Sequence, residues 1–234
     1  MKLLVSSDWH LDWSTHGVPR FDELEDILFE TLIPTIQKEK ITGFIFAGDL
    51  CDPDSGPVVF RTSALAIKFA RRLEALGVEQ LWIAGNHDVI EDGTGTTTLT
   101  PLAAVRSDLI HVSETPGVYT VGDLTIIALP FVATSHNYCP EEYVKGVRGS
   151  LPGPVAVVGQ LSVPGVVPGE EVTEMPRGRD VRFPIEECQD IPLLINGHYH
   201  RQQRTESGIW IPGSLARLTF GEQDHDPGFL IIEV

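Results

Sequence analysis

Five short clusters of chemically active side chains punctuate this chain, and each directly follows an apolar run. Asp8 and His10 come after Lys2–Ser6, Asp49 and Asp52 after Gly43–Ala47, and Asn86, His87 and Asp88 after Leu81–Ala84. Gln160 follows Val155–Val158, and His198 and His200 follow Leu193–Ile195. Strand ends drawn at random would include Ser, Lys and Thr, whereas these are nearly all carboxylates, imidazoles and carboxamides, the oxygen and nitrogen donors of divalent cations. A set of seven such donors suffices for two cations that share one bridging carboxylate, the arrangement that clamps both oxygens of an in-line displacement.

Those clusters need elements that bring them together. The runs are continuously apolar rather than alternating, as in strands buried on both faces. Between them lie helical patterns. Phe21, Leu24, Leu28, Leu32 and Ile36 recur at helical spacing, with Asp22, Glu23, Glu25 and Asp26 early and Lys38 and Lys40 late, as the helix dipole favours. Pro34 would cost about 3 kcal/mol inside an unbroken helix and predicts a kink or two shorter helices. A second helix runs through Leu65, Phe69, Leu73 and Leu76 to a left-handed cap at Gly77, with Arg61, Lys68 and Arg72 on another face. Alternating strands and helices predict an α/β fold with a parallel sheet whose strand carboxyl ends gather at one edge. Asp8 and His10, two apart in an extended chain, would point to the same side.

Gly122-Asp123 between Val118–Val121 and Leu124–Leu129 predicts a tight hairpin and a change to antiparallel pairing. The polar, Gly-rich stretch from Glu91 to Thr98 predicts a mobile loop that gates the site, and Pro164 to Arg182 an irregular loop.

The 234 residues, 42% of them hydrophobic, can bury the core of one large α/β domain. Seventeen Lys and Arg stand against 33 Asp and Glu, a net charge of -16, which argues against a basic polyanion-binding surface. A carboxylate-rich metal centre still approaches phosphate through its cations. Cys51, Cys139 and Cys188 match neither a disulfide framework nor a thiolate zinc site, so a reduced, cytoplasmic protein is expected. The apolar start at Lys2–Val5 is too short for a signal peptide, and no apolar run approaches the ~18 residues of a membrane span.

In order along the chain, Asp8-x-His10, Gly48-Asp49-x-x-Asp52, Gly85-Asn86-His87-Asp88 and Gly197-His198-x-His200 resemble the motifs of the calcineurin-like metallophosphoesterases. Ser7 to Leu11, Gly197 to Arg201 with Gln203, Pro212-Gly213-Ser214-Leu215-x-Arg217, and Phe220-Gly221-Glu222 are most similar to the SbcD-type DNA-repair nuclease subunit. The resemblance implies a four-layer α-β-β-α sandwich, two mixed sheets flanked by helices, as a single domain over residues 1–234 without the C-terminal cap. It implies that Asp8, His10, Asp49 and His200 hold one cation, and Asp49, Asn86, His198 and position 160 the other. Mn(II) is the implied ion, with Fe or Zn as alternatives. His87 would act on the scissile phosphate as general acid or charge stabiliser, oriented by Asp88, while a hydroxide activated by both metals attacks in line.

Gln160 departs from the family's His, and its neutral carbonyl is a weaker donor than imidazole. The resemblance implies a metal-dependent exonuclease and endonuclease acting on DNA in repair or recombination. A phosphodiesterase for nucleotides or other small molecules is the alternative, favoured by the acidity. A non-catalytic or engineered inactive form, motivated by Gln160, is a third reading. An SbcC-type ATPase partner is doubtful without the region that would bind it, and the Leu65–Leu76 helix is a candidate homodimer contact.

Overall fold

Continuous apolar runs become strands in the computed structural model of the protein, which describes residues 1–90, 94–132, 138–166 and 181–234. From the start come β1 (Lys2–Ser6), a small hairpin of β2 (Ser14–Thr15) and β3 (Val18–Pro19), and α1 (Phe21–Asp26). A π-helical stretch, Ile27–Leu32, leads into α2 (Ile33–Glu39). Next are β4 (Gly43–Ala47), α3 (Val58–Ala75), β5 (Glu79–Ile83), α4 (Thr100–Ala103), β6 (Ile110–Ser113), β7 (Gly117–Val121) and β8 (Leu124–Leu129). The remainder is α5 (Pro140–Arg148), β9 (Val155–Gly159), β10 (Leu193–Asn196), β11 (Gln203–Arg204), β12 (Trp210–Ile211) and β13 (Leu230–Glu233).

Two mixed sheets result, ordered β13-β1-β4-β5-β6 and β11-β12-β10-β9-β8-β7. β1, β4, β5 and β6 run parallel, and β13 closes that sheet antiparallel to β1. β8, β9 and β10 are parallel, while β7 returns antiparallel through the Gly122-Asp123 turn. The strand periodicity of two then sorts the apolar residues into layers. Leu3, Val5, Ile45, Ala47, Leu81 and Ile83 pack between the sheets against Ile126, Ala128, Ala156, Val158 and Ile195. Leu4, Phe44, Phe46 and Trp82 face Leu28, Leu32, Leu65, Phe69 and Leu73 on the helices. The other face of the second sheet packs Ile127, Leu129 and Val157 against Val144 of α5. Helix, sheet, sheet, helix is the expected four-layer sandwich.

One expectation needs correction. The active strand ends belong to both sheets, not to one parallel sheet, because the Gly122-Asp123 hairpin opens a second sheet to which β9 and β10 are added. The expected two shorter helices are present: the π turn Ile27–Leu32 separates α1 from α2, and Pro34 falls in the first turn of α2, where its missing N–H costs little. On α3 the Arg61 and Lys68 side chains stay largely exposed while pairing with Asp22 at 3.1 Å and Glu25 at 2.8 Å, as on a solvated helix face. Gly77 does adopt left-handed backbone, at φ 72°, just past the end of α3. That helix begins at Val58 and spends Leu65, Phe69 and Leu73 on the core. Among the described residues no helix is long and apolar enough to cross a membrane.

Candidate metal centre

The segment after β1 is held by an anchor. Trp9 drives its indole into the helix-side core, 4.6 Å from Phe46 and 5.5 Å from both Phe69 and Trp82 between ring centroids, and donates from Nε1 to Ser6 Oγ at 2.8 Å. Its neighbours Asp8 and His10 turn the other way. They do so through left-handed backbone, φ 53° and 41°, rather than the extended chain predicted, because the N–H groups of Asp8, Trp9, His10 and Leu11 donate to carbonyls of Gly48, Asp49 and Leu50. Asp49 and His198 are left-handed too, at φ 63° and 77°. Such backbone is costly for a non-glycine residue and persists where surrounding bonds over-determine it.

Asp8, His10 and His200 each bring a ligand atom into one group within 4.8 Å of one another, and all three are buried. His10 Nε2 lies 3.2 Å from His200 Nε2 and 3.9 Å from Asp49 Oδ2. A second contact set adjoins it. Asn86 Oδ1 is 2.9 Å from His198 Nδ1, and the His198 N–H donates to Asp8 Oδ1 at 3.0 Å. Gln160 is fully buried, with its amide packed where a Cβ on Gly48 or Gly197 would have to sit. Thus six predicted ligands lie within contact chains of one another, and Gln160 reaches the backbone of the Asp49 and His198 loops.

The donor set fits divalent cations. At the centre, the lone-pair atoms Asp8 Oδ2 and Gln160 Oε1 make no hydrogen bond of good geometry among the described residues, although the Ser7 and Gln160 side chains lie close enough to lower the Asp8 carboxyl. All candidate donors are oxygen or imidazole nitrogen, suited to Mn(II), Fe or Zn. Cys51 is no competitor, since burial pushes its thiol up to about 12 and its Sγ sits 2.9 Å from Thr62 Oγ1. Without a cation, burial raises the Asp8 carboxyl, and burial with the neighbouring charges of Asp8 and Asp88 raises that of Asp49. Burial and the surrounding His200, His87 and His198 hold His10 well below its ordinary value.

His87 differs from the donors in being accessible, its side chain 38% exposed. Its N–H donates to Asp49 Oδ1 at 2.9 Å, and its ring lies 4.9 Å from that of His10. The ring lines an open cavity of about 300 Å³ with His10, Asp12, Trp13, Asp52, Asp54 and Ser55. The carboxylate beside it is Asp52, whose Oδ2 lies 3.8 Å from His87 Nδ1. Asp88 is not that partner. Its carboxylate is buried and accepts the N–H groups of Gly85, Asp49, Leu50 and Cys51 at 2.8 to 3.4 Å, and the Thr98 hydroxyl. Asp88 therefore ties the β4 and β5 loops together, and the role of orienting His87 does not fall to it.

The gating loop is corrected in part. Residues 91–93 lie outside the described residues, but Thr97 and Thr98 are buried, Thr98 N–H bonds Asp88 O at 2.9 Å, and Thr97 Oγ1 bonds Glu114 at 2.7 Å. Of the Pro164–Arg182 loop, residues 167–180 lie outside the described residues.

One residue of the centre carried no assigned role in the sequence. Glu222, in the single turn Phe220–Glu222, accepts from His200 Nδ1 at 3.0 Å. Burial raises its carboxyl, but the bond and charge of His200 together with the bonds from Leu218 and Thr219 leave it below the ordinary value. Its signal in the sequence was the Phe220-Gly221-Glu222 motif, which carried the resemblance but no role.

A family model described as calcineurin-like phosphoesterase matches residues 1–202, which carry all nine candidate residues. The chain belongs to the calcineurin-like phosphoesterase family. A solved crystal structure aligns over 99% of this chain and 98% of its own, at 15% identity with a TM-score of 0.52, a likeness of fold alone. Calcineurin-like phosphoesterases are hydrolases that act on phosphoesters and typically bind divalent metals, for which Asp8, His10 and His200 form a ready group here.

Proposed function

We propose that this chain hydrolyses phosphodiester bonds, with DNA as its substrate in the manner of SbcD-type nucleases. The observation that carries the hydrolytic reading is the meeting of Asp8, His10 and His200 beneath an accessible His87. The DNA substrate rests on the likeness of the motifs, including Pro212 to Arg217 and Phe220 to Glu222.

Asp8, His10, Asp49 and His200 would hold one divalent cation, and Asp49, Asn86, Gln160 and His198 the other. Bound there, the cations supply charge neutralisation at the phosphoryl oxygens and acidify attacking water. His87 stands at the cavity wall, where its ring can give a proton to the leaving oxygen or stabilise its charge. Asp52 lies on the Nδ1 side of that ring, so Nε2 is the atom free to face substrate. Asp88 fixes the backbone from which both Asp49 and His87 project.

A second reading is favoured by the cavity itself, about 300 Å³ and edged by Asp12, Asp52 and Asp54 with no Lys or Arg among its lining residues. That lining suits a small phosphodiester better than a polyanion. Linear DNA, bis(p-nitrophenyl) phosphate and cyclic nucleotides, assayed side by side with Mn(II), separate the readings. Degradation of DNA is the expected result, and hydrolysis of the small esters alone would replace DNA as substrate. His87→Ala should lower kcat about 10²- to 10⁴-fold with metal content unchanged. Equal activity in both proteins would assign the hydrolysis to a contaminant. Two Mn(II) per chain by metal analysis supports the enzyme, and none supports a non-catalytic fold.

A further inference from the structure

Among the buried carboxylates around the centre, that of Glu222 is placed to act on a donor rather than to be one. Its side chain is 1% exposed, and it lies beyond the residues matched by the family model. Oε1 accepts from His200 Nδ1 at 3.0 Å and from the Thr219 hydroxyl at 3.3 Å, while Oε2 accepts the Leu218 N–H at 2.7 Å. With both oxygens of Glu222 placed to accept, a neutral His200 donates from Nδ1 and keeps its lone pair on Nε2. That Nε2 faces His10 Nε2 at 3.2 Å, within the group completed by Asp8. Two imidazole nitrogens at this separation, with a carboxylate beside them, are a place for a cation, and without one His10 can donate from Nε2 to the His200 lone pair.

We propose that Glu222 is a positioning residue of the metal centre, holding His200 in the Nδ1–H tautomer with Nε2 directed at the ion, and thereby setting the affinity of the Asp8-His10-His200 site. Orientation from the far nitrogen also raises the basicity of the ligating one. The inference rests on the reading that these three residues hold a cation.

Glu222→Gln tests it sharply, because the amide has one acceptor where the carboxylate has two. If its oxygen keeps the Leu218 N–H, its NH₂ meets Nδ1 as a donor and pushes the proton to Nε2, the ligating atom. Mn(II) titration of the metal-free chain by calorimetry should show affinity reduced about 10- to 100-fold in the variant. In parallel, nitrogen-15 NMR of the metal-free imidazoles should report His200 as Nδ1–H in the unsubstituted chain. That second measurement decides the matter even if the variant fails to fold, since an Nε2–H tautomer in the unsubstituted chain overturns the inference. Equal Mn(II) affinity in both proteins overturns it as well, while leaving the metal centre intact. Absence of Mn(II) binding by the unsubstituted chain would sink the metal-centre reading and the inference together.

Discussion

On the first-sheet side of the crevice, Asp88 gathers backbone N–H groups from Gly85 and from Asp49, Leu50 and Cys51, so the β4 and β5 loops form one hydrogen-bonded body. Across the crevice, Gln160 is equally buried but its amide makes no hydrogen bond of good geometry among the described residues. The difference separates two ways of fixing a polar site: one side is tied by hydrogen bonds within the protein, while the other holds a carbonyl lone pair that a cation would satisfy.

The largest effect should come from breaking the hydrogen-bonded side. Asp88→Ala strands four backbone donors and the Thr98 hydroxyl, and should cost about 4 kcal/mol or more, read as a lowered urea midpoint. A midpoint unchanged from the parent would show that the two loops do not depend on this carboxylate. On the other side, Gln160→His offers an imidazole in place of a neutral carbonyl and should tighten Mn(II) binding about tenfold, near 1.4 kcal/mol, with faster turnover. A variant that bound Mn(II) no better would mean that Gln160 is not the weak point.

A subtler contrast concerns protons. Asp8 and Asp49 are raised from 3.8 in the metal-free fold, so their burden on stability begins as pH rises through that value and is complete above the folded values. His10 is lowered from 6.5, so its neutral form costs stability only as pH falls below 6.5, where the unfolded chain gains the proton first. Protons and cations compete for the two carboxylates, so the rise in Tm on adding Mn(II) should grow as pH rises above their ordinary value of 3.8. Thermal melts giving a constant or shrinking rise would remove the carboxylates from the site. The smallest effect belongs far from the crevice: Lys68→Ala, which removes the exposed pair with Glu25, should cost under about 1 kcal/mol.

Much of this was legible because strand ends are marked twice, by the apolar run and by the abrupt change to ligand types. Asp8, Asp49, Asn86 and His200 are visible in that way. Gly122-Asp123 revealed a reversal but not that it begins a second sheet, since turn chemistry fixes a hairpin and not the layer on which later strands pack. Asp88 was misread for a related reason. Adjacency in sequence made it a partner for His87, whereas its buried carboxylate answers to N–H groups 37 to 39 positions away. Glu222 reaches His200 across 22 positions of irregular chain, where no period exists to read.

The left-handed backbone at Asp8, Asp49 and His198 bears on how the site should be dissected by mutagenesis. Asp and Asn tolerate that conformation better than Ala does. Alanine scanning at these positions would charge backbone discomfort to lost ligation and overstate each side chain's share. Asp8→Asn and Asp49→Asn keep the local fold comfortable while altering the donor's charge, and so isolate the chemistry from the scaffold.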